Sequence, residues 1–363
     1  MKRILHITPD FNYSCGRSKL VFLYLKYFDG IENYETHFIT NGGDSIERLK
    51  EVPRVNFQIF RFTTGYKNIL YKNKFYNCLK EYIHKNKIDL IHTHHRFPEA
   101  AAVQISRELK LRTVTSAHSF VKGFKQTSFK SDKIMSVSES LNNYLIEKFN
   151  VNNEKLITLY NPIDQFTQID SETINRFRLE NSISSDKKVL LFIGRIGKDK
   201  GYDTLISSLA DITRKNKKVI LVVNGHAKEN IFGYKSTSNN DNIIFIPPQK
   251  DNYYLYLIAD IVVLPSRVDP FPFVMIEAGS YKKPFIGGNT GGIAEFIEDG
   301  KNGLLVDPEN PQMLAEKIIY LLNNPQIGRT MGEKLYEKVN LLCDYNSYFS
   351  EVEKIYNSLL NRE

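Results

Sequence analysis

The stretch SRVDPFPFVMIEAGSYKKPFIGGNTGG, Ser266 to Gly292, places two acids, Asp269 and Glu277, eight positions apart around an apolar run. Two glycine pairs follow, Gly287-Gly288 and Gly291-Gly292. Just before it, Ile261-Val262-Val263-Leu264-Pro265 reads as a short buried strand. Asp269 then falls on the loop leaving that strand. Glu277-Ala278-Gly279 reads as the start of a helix, where unpaired N–H groups and the helix dipole favour an acid. In an open α/β sheet, loops at the carboxyl ends of strands are where ligands bind. Carboxylates are acceptor-only groups that take paired hydrogen bonds from diols, so two acids here suit a hydroxyl-rich ligand.

Working outward, short apolar strands alternate with helical spacing, the pattern of parallel sheets with crossover helices. In the first half the strands are Arg3–Thr8, Glu35–Thr40, Asp89–His92, Arg112–Ser116 and Lys133–Ser136. Helical spacing covers Lys19–Phe28, Lys72–Lys85, Glu99–Leu109 and Glu139–Phe149. A second series has strands at Lys188–Ile193, Val219–Asn224, Asn242–Ile246, Ile261–Pro265, Pro284–Ile286 and Gly303–Val306. Between the series lie a turn-rich segment, Leu159–Asp164, and a polar stretch, Gln165–Lys188. The expectation is an α/β chain of two doubly wound domains meeting near 161–187.

Length and composition agree. A chain of 363 residues, 42% hydrophobic and 25% charged, has room for two soluble cores. No apolar run approaches the roughly 18–20 residues of a membrane span. The opening strand is too short for a signal peptide, and three scattered cysteines (Cys15, Cys78, Cys343) fit a reducing cytoplasm. Residues 1–165 hold 25 Lys or Arg against 16 Asp or Glu; the remainder hold 24 against 25. The basic excess thus lies in the first half. One cluster, Lys67, Lys72, Lys74, Lys80, Lys85 and Lys87, is interleaved with Tyr66, Tyr71, Phe75, Tyr76 and Tyr82. A second is Lys122, Lys125, Lys130 and Lys133. Such clusters suit an anionic membrane surface or an ordinary solvated helix face. No nucleic-acid recognition module accompanies them. The chain also lacks a Walker lysine motif and a G-x-G-x-x-G after its first strand, which argues against NTP hydrolysis and dinucleotide chemistry.

The Asp269–Glu277 stretch resembles the donor-sugar signature of the retaining glycosyltransferases of family 4, which have the GT-B fold: two Rossmann-like domains facing across a cleft. In that signature an acid, seven residues and Glu precede Ala, small residues and a Pro-apolar strand, here Lys283-Pro284-Phe285-Ile286. Asp269 is one methylene shorter than the usual Glu, and Pro272 stands where Gly is frequent, which leaves the sugar open. The resemblance is strong from about 188 to 310 and patchy before. It implies an N-terminal acceptor-binding domain over 1–165, a nucleotide-sugar domain over 166–345, and a C-terminal helix over 346–363 packing back on the first.

Residue by residue, the resemblance implies the following roles. Arg195 and Lys200, in Gly194-Arg195 and Lys200-Gly201, hold a leaving diphosphate and neutralise its charge. Asp269 binds hydroxyls of the donor sugar, with the backbone of Phe271, Phe273 and Val274 in support, and Glu277 binds the ribose. Gly16, Gly194, Gly225 and Glu295 complete the donor set, and Pro248-Gln249-Lys250-Asp251 lies near the base. His118, at a strand end, faces the transferred sugar. His92, His94 and His95 read as a cleft-lining strand end rather than a metal centre, since no acid with ligand spacing accompanies them. The resemblance implies no cofactor and no metal. Its partners are a nucleotide-sugar donor and a glycan or lipid-linked acceptor; the basic clusters of the first half, read by themselves, suit an anionic membrane surface, which would lie on the inner face of the membrane. A sugar-nucleotide epimerase, a phosphorylase and a catalytically inactive sugar-nucleotide-binding module stay open as alternatives.

Overall fold

The computed structural model describes residues 1–60, 62, 68–164, 170–225, 241–248 and 251–361. The chain forms two units, Met1–Pro162 with Tyr345–Glu363, and Ile163–Asp344.

The first unit is built on seven strands: β1 (Lys2–Thr8), β2 (Tyr34–Thr40), β3 (Asn56–Ile59), β4 (Leu90–Thr93), β5 (Arg112–Ala117), β6 (Lys133–Ser136) and β7 (Leu156–Thr158). All pair in parallel, in the order β3-β2-β1-β4-β5-β6-β7. Winding therefore reverses between β1 and β4. The central strands are buried on both faces, so they read as near-continuous apolar runs. The helix Gly16–Asp29 covers one face with Leu20, Val21, Phe22, Tyr24, Leu25 and Phe28.

Helix boundaries follow local chemistry. Ser138 caps Glu139–Phe149 by accepting from Leu141 N at 3.2 Å, and Asn150 closes it in the left-handed region. The C-terminal helix, Tyr345–Leu360, buries Tyr348, Phe349, Val352, Ile355, Tyr356 and Leu359, a stripe at spacings of three and four. It packs on the Gly16–Asp29 helix: Tyr27 stacks on Phe349 at 4.5 Å, and Tyr24 Oη meets Tyr348 Oη at 2.9 Å.

The second unit holds β8 (Lys188–Ile193), β9 (Val219–Asn224), β10 (Ile243–Ile246), β11 (Ile261–Leu264), β12 (Phe285–Gly288) and β13 (Leu304–Val306). Their order is β10-β9-β8-β11-β12-β13, again all parallel. Here the reversal lies between β8 and β11.

Four sequence expectations need correction. Glu277 does not open a helix: the helix runs Phe273–Ser280, so the acid lies in its second turn. Pro272 forms the N-cap and the apolar run Phe273–Ile276 is already helical. Packing drives this helix, since a Cβ on Gly279 would lie 2.8 Å from Leu335 Cγ on the helix Pro325–Leu342. The polar stretch after Asp164 contains a helix, Ser171–Glu180, capped by Asp170 and buried mainly through Phe177. Strands β3 and β7 had no alternation to read, because β3 is exposed throughout and β7 is only half-buried. Finally, Phe75 is buried while Tyr76 and Tyr82 pack against the first unit's core. Those aromatics are the inner face of the helix Asn68–Lys85, with Lys74 and Lys85 on its exposed side.

Candidate active site

In the second unit the loops leaving β8 and β11 meet at the strand reversal, where an open α/β sheet leaves a crevice for ligand. Gly194 and Gly225 pack the ends of β8 and β9 backbone against backbone: Gly194 N donates to Asn224 O at 3.0 Å, and a Cβ on Gly225 would lie 1.9 Å from Gly194 O. After Lys200 the chain turns through Gly201 at φ +68°, where a Cβ would come within 1.9 Å of Pro265 O. A side chain is excluded twice over, by backbone conformation and by space. The Lys200 loop is thereby seated on the loop that carries Asp269.

Lys200 Nζ donates to Asp269 Oδ2 at 2.5 Å, and these side chains are 19% and 3% exposed. Ser266 Oγ donates to the same carboxylate oxygen at 3.3 Å. Arg195 pairs with Asp199 at 2.5 Å in a far more open setting, 60% and 43% exposed. The Asp199 carbonyl accepts from Arg267 N at 2.9 Å, joining the Arg195–Lys200 segment to the Asp269 loop through the backbone as well.

Arg267 did not stand out in the sequence. Its guanidinium grips Asp203 through two bonds of 2.7 and 2.8 Å, reaches Glu309 at 3.1 Å and donates to the Lys198 carbonyl. It locks the two loops together, and its only sequence signal was a cation beside the first acid.

Glu277 is buried and accepts a hydrogen bond from Tyr256 Oη. Burial, then the Glu277 charge, pushes the Tyr256 hydroxyl well above its usual range, so it stays a donor. Tyr281 stacks on Tyr256 at 5.5 Å. Phe271 is buried edge-on against Phe296 at 5.2 Å; Phe273 is buried and Val274 half-buried. Gly292 N donates to Asp269 O at 3.0 Å, tying the short helix Gly291–Phe296, with the half-buried Glu295, to the acid loop. Gln249 and Lys250, read as near the base, lie outside the described residues.

The first unit places Gly16 at the start of its helix, with Cys15 as an N-cap whose side chain makes no capping bond. His118 follows β5, half-buried, its ring stacked 5.8 Å from that of His94. Burial foremost, then the Arg17 charge, lowers its pKa to about 3, so it is a neutral imidazole. In the histidine trio, His92 lies near the end of β4 and His94 and His95 follow it directly. His92 and His94 are buried in the unit together with His6, while His95 caps the next helix by accepting from Phe97 N. Ring nitrogens of His6, His92 and His94 all lie within 4.8 Å of one another. His6 Nδ1 meets His94 Nε2 at 3.0 Å, and His92 spends both nitrogens, on Tyr356 Oη at 2.6 Å and Ser116 Oγ at 2.8 Å. Glu99, fully buried, accepts from the N–H groups of Phe129 and Lys130 at 2.7 Å each and anchors the end of the loop that follows His118.

Family models match in tandem: "Glycosyltransferase Family 4" over 26–165 and "Glycosyl transferases group 1" over 173–338. The chain is 26% identical over 348 residues to the N-acetyl-alpha-D-glucosaminyl L-malate synthase of Bacillus anthracis, covering 90% of each. It is 29% identical over 268 residues to the capsular polysaccharide biosynthesis glycosyltransferase CapM of Staphylococcus aureus, covering 70% of this chain and 69% of that one. Among solved structures, Anabaena HepE in complex with UDP-glucose superposes with a TM-score of 0.84 at 18% identity, over 99% of this chain and 100% of that one. With two Rossmann-like units, loops joined at the strand reversal of the second, and family models across most of its length, the chain belongs to the group 1 glycosyltransferases of the GT-B fold.

Proposed function

We propose that this glycosyltransferase moves a hexose or N-acetylhexosamine from a nucleoside diphosphate donor to a hydroxyl acceptor with retention at the anomeric carbon. The observation that carries the reading is the Lys200–Asp269 pair beside the exposed Arg195, at the strand reversal of the second sheet. Lys200 and Arg195 supply two cations for a diphosphate, and a group that stabilises charge developing on the leaving group lowers the barrier to its departure. Asp269, held by Lys200, accepts from hydroxyls of the donor sugar, and Glu277, oriented by Tyr256, accepts from the ribose. No covalent side-chain nucleophile is invoked. The diphosphate leaves from the face that the acceptor hydroxyl attacks and takes up its proton. His118 contributes a neutral imidazole toward a sugar hydroxyl.

The first unit binds the acceptor, a growing glycan or lipid-linked saccharide of cell-surface polysaccharide synthesis, on the cytoplasmic side of the membrane. CapM, named for capsular polysaccharide biosynthesis, supports the pathway class, and HepE with UDP-glucose supports the donor class.

The test is slow hydrolysis of nucleotide sugars by the full chain, without acceptor, across a panel of bases and sugars. One donor should be consumed, with release of a nucleoside diphosphate and a sugar of unchanged anomeric configuration. Glu277→Gln should weaken nucleoside diphosphate binding by about 1.5–3 kcal/mol, the worth of hydrogen bonds to a charged group. No turnover of any donor, or calorimetry showing unaltered nucleotide affinity in Glu277→Gln, would reject the assignment.

A further inference from the structure

At the end of the second sheet opposite the loops of Arg195 and Asp269, cations collect around a cavity of about 290 Å³. It lies where three strands begin: Lys188 is the first residue of β8, Asp260 precedes β11, and Lys283 and Pro284 lead into β12. The length of β8 puts about 20 Å between this cavity and the donor loops, at roughly 3.3 Å per residue. Lys188, Lys282, Lys283 and Arg329 line it, with Asp260 as the one acid among the lining residues. Residues 166–363 are otherwise balanced, 24 Lys or Arg against 25 Asp or Glu, so the excess is local.

Asp260 is already committed: it pairs with Lys188 at 3.0 Å and accepts from Val189 N at 2.8 Å. The other three cations form no ion pair among the described residues. Lys282 Nζ stands over the Tyr336 ring at 4.7 Å. Arg329 is exposed, one turn into the helix Pro325–Leu342, whose first turn has no acid to offset a cation at that end. Lys283 is half-buried; burial foremost lowers its pKa, the Asp260 charge opposes this and the Arg178 charge adds to it. Gathered cations, one of them partly desolvated, repel one another until an anion joins them. Three unpaired cations suit a dianion, and the volume holds a phosphate with a few carbons rather than a nucleotide.

The cavity wall is also part of the support for Glu277. Lys283 Nζ donates to Leu257 O at 3.2 Å, in the helix Tyr253–Ile258 that carries Tyr256. Lys282 N and Lys283 N close the end of the Glu277 helix, donating to Gly279 O and Ala278 O at 2.8 Å each. We propose that this cavity is a regulatory site for a phosphate group, free or carried on a small molecule, whose occupancy alters nucleotide affinity through the turn Lys282–Lys283. The regulatory role rests on the reading that the second unit holds the nucleotide.

Calorimetry on the full chain with inorganic phosphate, glycerol 3-phosphate and glycerol, each with and without uridine diphosphate, tests this. With uridine diphosphate filling the Arg195 and Lys200 loops, a phosphate probe should still bind and glycerol should not. Tighter binding of inorganic phosphate marks a free ion and of glycerol 3-phosphate a carried one; either upholds the site. Lys282→Gln with Arg329→Gln should weaken the phosphate at least roughly tenfold, the scale of hydrogen bonds to a charged group, while Arg329→Lys should keep most of the binding. Phosphate should shift uridine diphosphate affinity by about fivefold or more, and uridine diphosphate should shift phosphate affinity by the same factor, because coupling between sites is reciprocal. No phosphate binding once uridine diphosphate is bound, or binding indifferent to the double variant, overturns the proposal. So does an unchanged uridine diphosphate affinity, which would leave only a surface ion. A phosphate effect on uridine diphosphate that persists in the double variant is competition at Arg195 and Lys200 and overturns it as well. The reciprocal shift intact in a protein that hydrolyses no nucleotide sugar would sink the transferase mechanism and leave this site standing.

Discussion

Arg195 and Lys200 look alike in the sequence, two cations five positions apart, yet burial separates them. Lys200 neutralises a nearly sealed carboxylate, whereas Arg195 pairs with Asp199 in the open. Removing one member of a buried pair leaves an uncompensated charge, about 3–5 kcal/mol, while an exposed pair contributes about 0–1 kcal/mol. Both Arg195→Ala and Lys200→Ala should therefore lower turnover by roughly 10²–10³, as loss of a transition-state charge stabiliser does. Only Lys200→Ala should also lose stability in urea unfolding, and Lys200→Met with Asp269→Asn should recover much of it. Equal stability of the two single variants would contradict this account. Histidines make a second prediction at this scale. Burial lowers the pKa of His6 to about 3 and drives those of His92 and His94 well below 6.5. The unfolded chain binds these protons first, so stability is full above about pH 6.5 and falls as pH drops toward 3, by up to about 1.4 kcal/mol per pH unit for each histidine. Urea midpoints at pH 7.5 and 5.5 should differ strongly, and His6→Leu should reduce the difference. A midpoint unchanged between those two pH values would refute it.

Among elements, the loops leaving β8 and β11 behave as one piece because Arg267 binds both. It reaches Asp203 in the helix Tyr202–Lys215 and the carbonyl of Lys198, while its own N–H donates to Asp199 O. Arg267→Ala should cost roughly 0.5–1.5 kcal/mol in unfolding, the net worth of its hydrogen bonds, since Asp203 and Glu309, 42% and 69% exposed, can turn to water. It should also slow turnover with little change in nucleotide affinity, because it loosens the seat of Lys200 without touching Glu277. Arg267→Lys, which keeps the charge but not the fork, should restore only part of the rate. Normal turnover in Arg267→Ala would show that the loops hold their geometry without it.

For the molecule as a whole, charge is distributed by unit. The basic excess of residues 1–165 includes Lys74 and Lys85 on the exposed side of Asn68–Lys85, and Lys122 and Lys125 on the exposed loop after His118. Phe124, 46% exposed, lies between the latter two. Replacing these four lysines with Glu should abolish binding to vesicles containing anionic lipid, at about 1 kcal/mol per cation. Raised salt should weaken binding by the native chain, since a Debye length near 10 Å at 0.1 M screens such contacts. Vesicle binding that ignores both lipid charge and salt would return these lysines to the role of a solvated surface.

The sequence by itself determined the layered architecture, because strands buried on both faces must be apolar throughout and helices must carry a stripe. Arg3–Thr8, Lys188–Ile193 and Ile261–Leu264 are legible for that reason, and with them the loops that hold Arg195, Lys200 and Asp269. The residues that gather in space from distant positions were not legible. Arg267 with Asp203, Tyr256 with Glu277 and Glu99 with the Phe129 loop have no shared spacing in the chain. For the helix Tyr345–Leu360 the stripe shows that it must be covered but not by what; the first unit as its cover was expected from the family resemblance and not from periodicity. Periodicity reports which face of an element is dry; only the folded chain decides which neighbour dries it, and with that which charges are paired, sealed or left open to ligand.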